Sequence, residues 1–139
     1  MHSLKEVLDS SVRGSNPDIG GLASKDNRSV STIIWNYHDD DVPADPTPID
    51  LALSGLPART SRALHEHFRV DASHSNAFAV WKEMGLPQSP TEAQYQQLQH
   101  AGQLELLTSP EWVPIDQGAA HLQFMLSRQG ISLIRIAWE

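Results

Sequence analysis

The chain has no cysteine. Disulfides, thiolate nucleophiles and cysteine-held metals are therefore excluded, although the lack of cysteine does not fix a compartment. Positive charge is scarce. Ten Lys and Arg stand against 17 Asp and Glu, for a net charge of −7. The arginines are scattered and form no basic run, which argues against a general nucleic-acid binder, because neutralising phosphates needs clustered cations. Long apolar runs are also missing. None approaches the ~20 residues that span a bilayer. Met1 to Gly20 lacks the charged start, apolar core and small-residue cleavage site of a secretory signal. These absences lead to the expectation of a soluble, cytoplasmic domain with no membrane partner.

What is present is enough for one domain. A chain of 139 residues buries roughly two-thirds of its unfolded surface, which supports a core without staples. Nine prolines and eight glycines imply many turns. Leu4, Val7, Leu8 and Val12 recur at near-helical spacing, with Ser3 and Glu6 as a capping pair, so the pattern predicts a short helix over 3–13. Gly14 to Asp18 breaks it. Residues 1–14 are expected as a helical segment and 15–139 as the main domain.

From Gly20 the period changes to that of strands. Strands are expected at 20–25 and 29–37, around an Asp26-Asn27 turn; the second is β-branched and apolar on both faces, as in a central, covered strand. An acidic, proline-rich loop over 38–48 follows. Ile49, Leu51 and Leu53 alternate in the next strand. In 62–70, Leu64, Phe68 and Val70 share one face, read as the core face, and His65, His67 and Arg69 share the other, read as wet. Glu66 falls on the apolar side and needs a partner or a bulge there. Helices are expected over 75–84, ending at Gly85, and over 90–101, stopping at Gly102. Strands resume at 103–108, 112–115, 120–126 and 131–138. Six to eight short strands with one two-helix insertion (about 75–101) describe a mainly β protein, an antiparallel β-sandwich.

Several motifs carry a more specific signal. Trp35-Asn36-Tyr37-His38-Asp39-Asp40-Asp41 is one, and His74-Ser75-Asn76 leading into Val80-Trp81-Lys82 is another. With them, in order, stand Asp18 to Ser24, Phe68-Arg69-Val70-Asp71, Met84-Gly85, Pro90-Thr91, Ala101 to Leu104 and Arg128 to Leu133. This ordered set resembles the C-terminal region of glycoside hydrolase family 39, the β-xylosidase family. The resemblance implies a β-sandwich that packs against a (β/α)8 barrel, in a retaining glycosidase acting on xylosides. Retention needs two carboxyl groups ~5–5.5 Å apart. In the family both are barrel glutamates, one in an Asn-Glu-Pro motif that this chain lacks. A barrel takes ~250 residues, and the stretch ahead of the similarity is far too short for one. No catalytic residue is carried over, and no cofactor is expected. The resemblance also implies that an N-terminal segment of full-length members supplies a strand to the sandwich.

The chemistry-bearing clusters have competing readings. His38, Asp39, Asp40 and Asp41 offer oxygen ligands of the kind that hold Ca²⁺ or Mg²⁺, but their spacing is not that of an EF-hand. They are read as loop or barrel-facing contacts, and no metal is assigned. His65 and His67, with His121, have zinc-ligand chemistry but equally suit a wet strand face. Asp71 and His74 read as a capping group and a pin for the following helix. Among the aromatics, Trp81 reads as core, whereas Trp112 and Tyr37 are the candidates for stacking on a sugar ring. The expected function is a non-catalytic accessory domain of a β-xylosidase-like protein, with self-association or a glycosidase barrel as partner. The alternative is a weak binding module for xylo-oligosaccharides.

Overall fold

The computed structural model describes residues 17–39 and 42–139. Asp40, Asp41 and the helix expected over 3–13 lie outside the described residues. The elements run β1 (Ile19–Lys25), β2 (Ser29–Asn36), β3 (Thr47–Ser54), β4 (Arg62–Val70), α1 (Ala77–Glu83), α2 (Glu92–Ala101), β5 (Glu105–Leu106), β6 (Glu111–Pro114), β7 (Ala119–Leu126) and β8 (Ile131–Ala137). The strands form two antiparallel sheets. The larger has the order β1-β2-β8-β4-β5, with β6 also paired to β4; the smaller is β3-β7. The mainly β architecture and its helical insertion are those expected from the sequence.

Turn chemistry sets the connections. The Asp26 carboxylate accepts the backbone N–H groups of Arg28 and Ser29, each at 2.7 Å, and closes the β1–β2 hairpin. Asn76 caps α1 by accepting the Ala79 N–H at 2.9 Å. Thr91 and Gln94 form a reciprocal capping box at the start of α2. Gly118 adopts a φ of +74°, and a Cβ there would stand 2.9 Å from the Leu56 carbonyl oxygen. Only glycine fits that approach, which ties the β3–β4 connection to the start of β7.

The core lies between the sheets. Ala63, Ala120, Leu126, Ile134 and Ile136 are fully buried there. Burying each of the Leu and Ile side chains contributes about 1.5–3 kcal/mol. β2 sits inside the larger sheet, between β1 and β8, as expected. However, it is covered on one face only: Val30, Thr32 and Ile34 are buried, whereas Ile33 is exposed on the opposite face.

One face assignment is reversed. On β4 it is Ala63, His65, His67 and Arg69 that point into the sandwich, while Leu64, Glu66, Phe68 and Val70 are half-buried on the outer face. Alternation fixes which residues share a face, not which face is inside. Here both faces carry apolar groups, so hydrophobicity alone cannot choose. Glu66 finds its partner on the outside, where Arg135 of β8 donates to it at 2.8 Å.

The two helices pack on each other, and neither contains a buried residue. Phe78 is 60% exposed, and its ring lies 5.7 Å from that of Trp81. Trp81, expected in the core, is half-buried and donates its indole N–H to the Pro87 carbonyl at 3.0 Å.

Candidate functional site

The interior of the sandwich holds an unusual polar row. His67 Nε2 lies 2.9 Å from Ser132 Oγ. Its ring meets Phe124 edge-on at 4.8 Å and stands 5.9 Å from the His65 ring. Arg69 donates to the Met125 carbonyl at 2.9 Å and lies 3.6 Å from Asp71. Burial, with the neighbouring Arg69 and His65, pushes the His67 pKa down from 6.5 to about 4. The imidazole is therefore neutral at physiological pH. Burial also lowers the Arg69 pKa, against the opposing pull of Asp71. Burial works to raise Asp71, but hydrogen bonds from the His74 side chain and the Ser73 amide outweigh it, and its pKa is lowered. Asp71 caps the turn over Ser73 and His74, while the cap of α1 itself is Asn76. His74 and Asn76 both bond to Asp71.

The row is buried inside the sandwich, and neither ring nitrogen of His65 has a hydrogen-bond partner there. His65 and His67 point inward, while His121 lies on the exposed outer side of β7. The three side chains are therefore not brought to one point. His38 is also buried, with Nε2 2.9 Å from Asn36 Oδ1, whereas Asp39 is exposed. The described end of the His-Asp run is therefore split between the rim of the sandwich and solvent.

The outer face of the larger sheet has a different character. Leu22, Ile33, Leu133, Phe68 and Leu106 are register partners in turn, so one apolar row crosses five strands. Trp35, Ile131 and Val70 make a second row beside it. Leu22 is 58% exposed and Ile131 41%. Sequence reasoning missed this face because it placed half of these residues in the core. The signal that could have found it is the apolar character of both faces of β2 and β4.

Trp112 and Tyr37 are both exposed, at 49% and 53%, but they do not form one platform. Trp112 stands beside Leu64, in the row that crosses to Ala137 and Ser29. Tyr37 lies beyond the opposite end of β2. At ~3.3 Å per residue, the two are roughly 25 Å apart along the strand direction alone. The Arg62 guanidinium also sits 4.5 Å from the Trp112 ring centre and covers one of its faces.

Comparisons with known proteins agree with this geometry. The family model for glycosyl hydrolases family 39 matches residues 2–112. No curated protein sequence matches the chain. Among solved structures, it is similar to the GH39 enzyme from Xanthomonas axonopodis pv. citri (TM-score 0.71, 15% identity), covering 84% of this chain and 25% of that one. A monomeric β-xylosidase from Caulobacter crescentus CB15 gives a TM-score of 0.70 and 18% identity, over 84% of this chain and 26% of its own. A bacterial orthologue of human α-L-iduronidase gives 0.69 and 21%, over 87% and 22%. At such identities the likeness is one of fold. The chain spans about a quarter of the length of these structures.

Proposed function

Because the chain belongs to glycosyl hydrolase family 39, we propose that it is a non-catalytic accessory β-sandwich of a β-xylosidase-like protein. Its role is to brace a glycosidase barrel against the outer face of the larger sheet. The observation that carries this reading is the apolar row from Leu22 to Leu106, together with a helical pair that buries none of its own residues. Exposed apolar surface of this extent marks an interaction site. The barrel is the partner of choice because the solved neighbours hold some three-quarters of their length outside the matched part. The carboxylates with defined partners serve the fold: Asp26 and Asp71 hold turns, and Glu66 pairs with Arg135.

Two measurements test the reading. Purified chain assayed on nitrophenyl β-xyloside should give no rate above the blank; activity that co-purifies and disappears on mutating one of its glutamates overturns it. Sedimentation should show self-association or complex formation with a co-expressed family 39 barrel, lost in Leu22→Glu/Ile33→Glu. A strict monomer that leaves the barrel unbound refutes the docking role. Titration with xylobiose and xylohexaose should move no NMR resonance, since Trp112 and Tyr37 form no shared platform and Arg62 covers one face of the Trp112 ring.

A further inference from the structure

The outer face of the larger sheet carries one charge that its own strands do not balance. Register puts Arg62, Leu64 and Glu66 of β4 on this face, with Arg135 of β8 and Trp112 of β6 beside them. The acids of β5 and β6, Glu105 and Glu111, stand opposite Arg69 and His65 and so alternate to the other side. Two arginines therefore meet one glutamate here, on a chain whose net charge is −7. Glu66 is already taken, because Arg135 donates to it at 2.8 Å. Arg62 is left over. It is exposed, and among the described residues no carboxylate lies against it. Its guanidinium sits 4.5 Å from the centre of the Trp112 ring.

This pair stands at one end of the apolar surface. From Phe68, in the long apolar row, back to Arg62 is roughly 20 Å at ~3.3 Å per residue. Leu64 and Trp112 are direct partners across β4 and β6, and the Trp112 ring is 49% exposed. Trp and Arg are the side chains in which interfaces concentrate their energy. The ring contact also restrains a long side chain that is otherwise costly to order on binding. Covering the pair takes a cation out of water, and the apolar contact does not offset that cost unless an anion meets it. A carboxylate matches the guanidinium in charge and in its two-pronged geometry.

Building on the docking role of this face, we propose that Trp112 and Arg62 form its second anchor, and that the barrel covering it sets a carboxylate against Arg62. A second copy meeting through the same face does not fit, because the one carboxylate it brings, Glu66, is held by Arg135. An anionic bilayer does not fit either, since a net charge of −7 opposes the approach.

Sedimentation of the full chain with the co-expressed family 39 barrel tests it. Arg62→Gln and Trp112→Ala should each raise the Kd at least tenfold, whereas Arg62→Lys should keep it within about threefold. Both positions are exposed, so all three variants should keep the parent's Tm. In the Arg62→Lys complex a carbodiimide should couple the new amine to a barrel Asp or Glu, and peptide mass mapping should find that cross-link at position 62. Full affinity in Arg62→Gln, or a complex without the cross-link, overturns the proposal; if Leu22→Glu/Ile33→Glu still abolishes that complex, the docking role stands without it. Self-association or binding to phosphatidylserine vesicles that is lost in Arg62→Gln assigns the pair to another partner and equally overturns it. No complex with the barrel at all refutes the docking role and this anchor together.

Discussion

His67 should make the stability of this domain fall steeply in mild acid. The residue is 4% exposed, held against Ser132 and Phe124, with Arg69 and His65 on the same inner face of β4. Its pKa is about 4 in the folded chain against 6.5 unfolded. Above pH 6.5 neither state carries the proton, and the group adds no pH dependence. Between 6.5 and 4 the unfolded chain takes up a proton that the folded chain refuses, so stability drops as pH falls. The slope approaches ~1.4 kcal/mol per pH unit, and the whole window removes about 3 kcal/mol. That is a large part of the ~5–15 kcal/mol that holds a typical domain. Below pH 4 both states are protonated and this contribution levels off. Asp71 acts in a lower window: its depressed pKa gives stability that is complete above 3.8 and lost as pH falls through the folded value. Urea unfolding at pH 7.5, 6.0, 5.0 and 4.5, followed by tryptophan fluorescence, reads the effect. His67→Gln keeps a group that can bond Ser132 and does not titrate. It should cost ~1 kcal/mol at pH 7.5, for the lost ring contact, yet flatten the profile by about 2 kcal/mol between pH 7.5 and 4.5. Parallel profiles for the two proteins would refute the reasoning.

Three further outcomes follow from packing. A Cβ at Gly20 would stand 2.6–2.8 Å from the Trp35 indole, so Gly20→Val should displace that ring and cost about 1–3 kcal/mol, seen as a lower Tm and altered Trp fluorescence. Leu22→Glu/Ile33→Glu, on exposed positions, should change stability by less than about 1 kcal/mol while removing any association seen by sedimentation. Arg69→Ala should destabilise by about 2–4 kcal/mol in urea, because it strands the Met125 carbonyl and the largely buried Asp71.

The sequence was most legible where local chemistry decides. Strand limits followed alternation to within a residue or two, and both helices ended near their Gly85 and Gly102 signals, although the cap of the first proved to be Asn76 rather than Asp71. The partition of strands between sheets was not legible. β3 and β4 are neighbours in sequence yet belong to different sheets, a choice made by long-range pairing with β7 and β8. The inversion of β4 has the same origin. Nothing local in Leu64-His65-Glu66-His67-Phe68 reveals that Ser132 and the Met125 carbonyl wait inside to pair with His67 and Arg69, nor that Leu64 and Phe68 lie on the outer face. The candidate surface was therefore not legible in the sequence.

The position of β8 bears on synthesis at the ribosome. Of the described strands it is the last to be made, yet it lies inside the larger sheet and pairs with both β2 and β4 along its length. Until Ile131–Ala137 emerges, those two strands have no neighbour between them, and Ile134 and Ile136, fully buried in the finished protein, have not yet been added. The growing chain must wait with apolar strand edges open, the state in which nascent chains most need chaperones. A stop codon in place of Ile131 would remove the strand that joins the two halves of the sheet.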